Sequence, residues 1–261
     1  STLAARTAFG IKADGTIVMY VNDGKQDEYS SGLSLKQLAL RMIELGCVEA
    51  INLDGGGSSA LSAEYPGSGT VSLINSPSDG TMRKCANYIF LLNKTKPSGN
   101  AEKLFLYPYD TLMLPGAQTS FSVRATDGNY NAATLNSPVS YAVSDSALGT
   151  VDDKGVFTAG SAPMTARVWA KSGAAEGFST VNIVDKPDEI VIKDEASSKM
   201  VENISLDLGE SVSLSASAYY KTFTLKAQDT LFNWSAIGAA GTITPEGTFT
   251  ASDIPGAVGV I

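Results

Sequence analysis

Gly149-Thr150-Val151-Asp152-Asp153-Lys154-Gly155-Val156-Phe157-Thr158-Ala159 recurs as Gly241-Thr242-Ile243-Thr244-Pro245-Glu246-Gly247-Thr248-Phe249-Thr250-Ala251, at an offset of 92 residues. Further out, Tyr141 corresponds to Trp234 and Gly116 to Gly209 at an offset of 93. A period of this length exceeds a solenoid unit and suits tandem β-sandwiches.

Between 101 and 261 no helical period is visible, and short β-rich runs alternate with Gly, Asp, Asn and Ser turns. The aromatic-Ser/Ala strand Trp234-Ser235-Ala236, the Gly-led strand Val212-Ser213-Leu214 and the Gly-Xaa-Phe-Thr-Ala close together resemble bacterial immunoglobulin-like domains of the group-2 kind. The resemblance implies one sandwich over 103–186 and a second over 187–261, the latter ending at Ile261 before its final strand. Tyr107, Tyr109, Trp169, Tyr219, Tyr220 and Trp234 are expected mostly in sandwich cores. Tyr219-Tyr220 must send one ring to each face.

Upstream, Lys94 to Asn100 has linker composition, and 96–102 is read as the linker. Residues 7–22 read as a hairpin about Asp14-Gly15. Ser34-Leu35-Lys36-Gln37 is a capping box, and Leu35, Leu38, Met42 and Leu45 follow at helical spacing until Gly46. Cys47 to Leu53 reads as a strand, and Asn87 to Leu92 as a last strand apolar enough to lie inside a sheet. The fold class expected is therefore an α+β domain over 1–95, with a mixed or antiparallel sheet and one main helix, followed by two all-β immunoglobulin-like sandwiches.

Charge narrows the function. The net charge of -8 lies wholly in residues 101–261, with 10 basic against 18 acidic residues, while residues 1–100 balance at 9 and 9. An acidic tail disfavours nucleic acid, and no apolar run approaches a membrane span. There is no histidine, which removes Ser-His-Asp and Cys-His machinery and His-ligated zinc. Cys47 and Cys85 have no second pair to form a metal site; two buried thiols and one disulfide both fit them. No metal and no cofactor is expected.

The densest motif is Ile51-Asn52-Leu53-Asp54-Gly55-Gly56-Gly57-Ser58-Ser59. Triple glycine lets backbone amides approach a ligand and form an anion nest, with Asp54 beside it at a strand's end. A glycine-rich turn whose Asp54 caps its own loop satisfies the same residues. Downstream lie Asn75-Ser76-Pro77-Ser78-Asp79-Gly80 and Arg83-Lys84-Cys85-Ala86-Asn87; upstream lies Arg6-Thr7-Ala8-Phe9-Gly10.

In this order, with Asp23-Gly24-Lys25 between, these segments resemble the phosphodiester glycosidase family over residues 4–93. Lys25 stands where the family usually has Arg, and Ser76 replaces a frequent Arg before Pro77. The family's domain usually begins earlier, with strands and an Asn-Gly-Gly-Phe-type segment, so residues 1–95 are expected to be its C-terminal part.

The resemblance implies hydrolysis of a sugar-1-phosphodiester, such as a GlcNAc-α-1-phosphodiester, on an extracellular glycan or exopolysaccharide. It implies Asp54 and Asp79 as the catalytic carboxylates and Arg6 and Arg83 as phosphate clamps. Gly55, Gly56, Gly57 and Ser58 would form an oxyanion pocket, and Thr7, Asn75, Ser78 and Asn87 would orient the sugar. Asp79-Gly80 also suits a plain turn, and Arg83-Lys84 a solvated pair. The tail implies a secreted or cell-surface bacterial protein that contacts wall or surface polysaccharide. A second function fits as well: a non-catalytic carbohydrate-binding or adhesion protein with immunoglobulin-like spacers.

Overall fold

A computed structural model describes residues 2–26, 29–86, 88–221 and 223–261. The chain divides into two compact units, Ser1–Ser98 with Asn129–Ala132, and Gly99–Gly128 with Ala133–Ile261.

In the first unit β1 (Arg6–Lys12) and β2 (Ile17–Asn22) form the expected antiparallel hairpin, with Ile11 opposite Ile17 next to the turn. The Asp14 carboxylate accepts from Thr16 N at 2.9 Å, and those bonds hold it below the ordinary carboxylate range. α1 (Leu35–Glu44) begins with both halves of its capping box: Gln37 N donates to Ser34 Oγ at 3.3 Å and Ser34 N to Gln37 Oε1 at 2.8 Å. Leu38 and Met42 then meet Ala8, with Val18, Tyr20, Leu45 and Cys47 packed around them. β3 (Cys47–Asn52) pairs antiparallel with β1, so the sheet order is β2-β1-β3. The chain therefore runs from an edge strand directly into the glycine turn, beside the start of the central strand.

Two elements depart from expectation. A small hairpin, β4 (Ser62–Glu64) with β5 (Val71–Leu73), follows the glycine turn. The strand expected up to Leu92 does not form among the described residues, and Phe90, Leu91 and Leu92 are 72%, 63% and 73% exposed. An unalternating apolar run suits a strand buried on both faces, and here neither face is covered. Cys47 and Cys85 are free, part-buried thiols.

The second unit holds the repeats. Its first half contains β6 (Lys103–Tyr107), β7 (Thr111–Met113), β8 (Gln118–Ser120), β9 (Ser122–Thr126), β10 (Ala132–Ala133), β11 (Ser140–Val143), β12 (Gly149–Val151), β13 (Val156–Ala159), β14 (Thr165–Ser172) and β15 (Ala175–Ile183). One sheet runs β10-β9-β6-β15-β14-β11 with β7 beside β15, and the other runs β12-β13-β8. Strand alternation sends Leu106, Met113, Phe157, Val168 and Val181 inward, all fully buried.

The second half continues with β16 (Glu189–Asp194), β17 (Ser211–Tyr220), β18 (Phe223–Thr224), β19 (Ile237–Gly238), β20 (Gly241–Ile243), β21 (Thr248–Ala251) and β22 (Gly259–Val260). Its main sheet runs β16-β17-β21-β20, with β18 beside β17. Ala218 and Leu225 join the apolar core of the first half. The repeated motifs fold alike: Gly149 faces Ala159 and Val151 faces Phe157, as Gly241 faces Ala251 and Ile243 faces Phe249. The chain thus pairs one small α+β unit with a β-rich unit of immunoglobulin-like sheets.

Candidate active site

The glycine turn is a short 3-10 helix, Gly56–Ser58, entered by Gly55 in an extended conformation. Its anchor is the start of β1 and the residue before it, since Gly56 N donates to Ala5 O at 2.9 Å and Leu53 N to Thr7 O at 2.8 Å. The Thr7 hydroxyl donates to Ser59 Oγ at 2.9 Å, and Ser59 is fully buried. Thr7 thus secures the floor of the turn.

Asp79 and Arg83 stand against this turn. A Cβ on Gly57 would overlap the Asp79 carboxylate and the Arg83 guanidinium, so only glycine admits both side chains. Arg83 Nε and Nη2 both donate to Asp79 Oδ2, at 2.9 and 2.6 Å, and Nη1 donates to Ser58 Oγ at 3.3 Å. Four of the expected site residues, Gly57, Ser58, Asp79 and Arg83, are therefore in one cluster. The Arg83–Asp79 pair is about half exposed. Its worth lies in orientation rather than stability, because pairs this solvated contribute roughly 0–1 kcal/mol.

The other expected residues are placed differently. Asp54 is exposed at the mouth of the turn, where its Oδ1 accepts from Gly55 N at 2.9 Å. Together with the Gly56–Ala5 bond, this engages the amides of Gly55 and Gly56 within the protein. The Arg6 guanidinium donates to Leu33 O at 2.9 Å and Thr2 O at 2.8 Å, backbone carbonyls of neighbouring loops. Asn75 is engaged at both ends of its amide. Its Oδ1 accepts from Leu61 N at 2.7 Å, and its Nδ2 donates to Asp23 Oδ1 at 2.7 Å and Ser59 O at 3.0 Å. Ser78 lies in the turn that Gly80 N closes onto Pro77 O. Asn87 lies outside the described residues.

Asp23, read in the sequence as part of the Asp23-Gly24-Lys25 turn, also ties distant segments together. Its carboxylate also accepts from Ser76 N at 3.0 Å and from the Tyr29 hydroxyl at 3.1 Å. Gln26 adds a second tie, donating to Ser76 O at 2.7 Å and accepting from Ser76 Oγ at 2.9 Å. The loop after β2 thus clasps the segment that leads to Asp79. Burial first, and then the Asp23 carboxylate, raise the Tyr29 phenol above its ordinary value. The Asp23-Gly24 turn was visible in sequence, but its partners Asn75 and Ser76 lie more than fifty residues away. Among the described residues no cluster of three or more Cys, Asp or Glu is placed to hold a metal. No described helix is long and apolar enough to cross a membrane.

Comparison with known proteins gives a divided result. No curated protein matches the chain. Among solved structures, domains 5–6 of the S-layer protein SbsC are similar at 16% identity and a TM-score of 0.32, covering 61% of this chain and 86% of that one. The Yersinia pseudotuberculosis adhesin InvE is similar at 16% identity and a TM-score of 0.26, over 62% of this chain and 51% of that one. Invasin, a bacterial integrin-binding protein, is similar at 14% identity and a TM-score of 0.21, over 98% and 49%. Residues 1–92, which hold the whole glycine-turn cluster, match the family model described as phosphodiester glycosidase.

Proposed function

We propose that the first domain hydrolyses a sugar-1-phosphodiester, of the GlcNAc-α-1-phosphodiester kind, on an extracellular glycan or exopolysaccharide. The observation that carries this reading is the packing of Asp79, Arg83 and Ser58 against Gly57, within the stretch that matches the phosphodiester glycosidase model. In the proposed reaction the bond between the sugar C1 and the phosphate oxygen breaks. Water supplies the hydroxyl that ends on C1, and its proton ends on the phosphomonoester. Phosphate leaves as a stable anion, so charge stabilisation outweighs protonation of the leaving group.

Asp54, exposed at the mouth of the turn, is assigned to the sugar side, as nucleophile or as base toward water. Asp79 is the second carboxylate, oriented by two hydrogen bonds from Arg83. Arg83 also reaches Ser58, and an arriving phosphate would compete with Asp79 for the guanidinium. Arg6, with Nε and Nη2 on the Leu33 and Thr2 carbonyls, is assigned to holding those segments beside β1 more than to clamping phosphate. The protein is proposed to act outside the cell or on its surface, with the immunoglobulin-like modules contacting wall or surface polysaccharide.

The test is turnover of a GlcNAc-1-phosphodiester by the wild-type chain and by Asp54→Asn. General acid–base or nucleophilic groups contribute roughly 10²–10⁴-fold, so a loss of that order is expected. Unchanged turnover in Asp54→Asn would remove the assignment of Asp54. No turnover in wild type would favour the adhesion reading, in which this domain only binds.

A further inference from the structure

The outer face of the larger sheet in the second unit carries an aromatic and cationic strip. On β14, Ala166, Val168, Ala170 and Ser172 point into the core, so Arg167, Trp169 and Lys171 point outward. Register places Trp169 opposite Phe178 and Arg167 opposite Thr180 on β15. The Trp169 and Phe178 rings lie 4.8 Å apart, tilted by 48°, and the Arg167 guanidinium sits 4.9 Å from the Phe178 ring centre. On the other side, Trp169 faces the small, exposed Ala142, which leaves that flank of the indole uncovered. Trp169 is thus a half-buried surface residue, against the expectation that it lies in the core.

Charge is segregated on the same face. Residues 103–186 hold six Lys and Arg against seven Asp and Glu, yet Lys103, Arg124, Arg167 and Lys171 all lie on outward rungs of this sheet, with Glu176 as the one carboxylate among those of β14, β15, β6 and β9. Arg124 repeats the Arg167 arrangement, its guanidinium 5.5 Å from the Tyr107 ring centre. A fold that needed only a soluble face would not have to gather its cations around aromatic rings in an otherwise acidic unit.

We propose that the Arg167–Trp169–Phe178 strip binds a glycan chain bearing anionic groups, carboxylate or phosphodiester. Aromatic rings present apolar surface to the C–H faces of sugars, while guanidinium groups pair with carboxylate or phosphate oxygens in a bidentate way. The net acidic chain opposes dense polyanions in general, and oligo(dT) enters the test as the competing occupant. This binding rests on the proposed contact of the immunoglobulin-like modules with surface polysaccharide and is independent of hydrolysis by the first domain, so its test reads binding alone.

The experiment measures affinity of the full chain for polygalacturonate, for a phosphomannan, for neutral mannan and for oligo(dT), with Trp169→Ala and Arg167→Gln alongside. The expected result is binding to at least one anionic glycan, no binding to neutral mannan, and weakening by about tenfold or more in each variant. Preference for polygalacturonate or for phosphomannan identifies which anion is read. Each variant's melting temperature is recorded as well, because a merely structural ring pair would change melting and leave affinity alone. Wild-type affinity in both variants, equal binding of neutral mannan, tighter binding of oligo(dT), or no anionic glycan bound would each overturn the proposal.

Discussion

Gly57 in the first unit and the Gly149–Gly241 pair in the second use the same missing side chain for different purposes. At Gly57 the space is filled by polar groups, the Asp79 carboxylate and the Arg83 guanidinium, both about half exposed. At Gly149 it is filled by the ring of Phe157, which is fully buried, with Cζ only 2.6 Å from where a Cβ would stand. Gly241 repeats that arrangement, with Phe249 Cζ at 2.7 Å. A glycine's neighbours, rather than the glycine, thus separate a site from a core. Polar, solvated neighbours imply a site whose loss shows in activity, whereas a buried ring implies a core whose loss shows in stability.

Substitutions can break this comparison. The largest effect is expected for Gly149→Ala, where φ is +147° and the Cβ would meet both Thr158 O and the Phe157 ring. Backbone strain and overpacking together should destabilise by about 3 kcal/mol or more, read as a loss in chemical denaturation midpoint. Gly57→Ala should displace Asp79 and Arg83 and lower phosphodiester turnover by about a hundredfold. Its stability should fall by less than about 1 kcal/mol, because the displaced side chains can move into solvent. A large stability loss in Gly57→Ala with intact turnover would reverse the roles assigned to the two turns. Gly241→Ala sharpens the comparison within the repeat. A Cβ there would meet the Thr250 carbonyl oxygen as well as the Phe249 ring, but Gly241 lacks the positive φ that adds backbone strain at Gly149. A smaller loss than at Gly149, about 1–2 kcal/mol, is expected in the same denaturation assay.

Much of this architecture is legible in the sequence because it is local. The Asp14-Gly15 hairpin, the Ser34–Gln37 capping box and the helix through Met42 each depend on residues a few positions apart. The repeat is legible because two copies preserve the same glycine–aromatic contacts, Gly155 with Tyr141 and Gly247 with Trp234. Illegible features depend on long-range partners. Nothing near Asp23 announces Asn75 and Ser76, and nothing near Arg6 announces the Leu33 carbonyl. The strand expected up to Leu92 rested on apolar content, and content alone names no partner strand. Trp169 was within reach of sequence reasoning, since Ala166, Val168 and Ala170 already mark the inward face of β14.

In the proposed function, residues around the Gly57 turn cleave a sugar-1-phosphodiester on the sugar side of the bridging oxygen. The most direct measurement is hydrolysis of a GlcNAc-1-phosphodiester by this chain in ¹⁸O-labelled water, with mass analysis of both products. One ¹⁸O atom is expected at C1 of the released sugar and none in the phosphomonoester. Label in the phosphate, or no release of sugar at all, would contradict it.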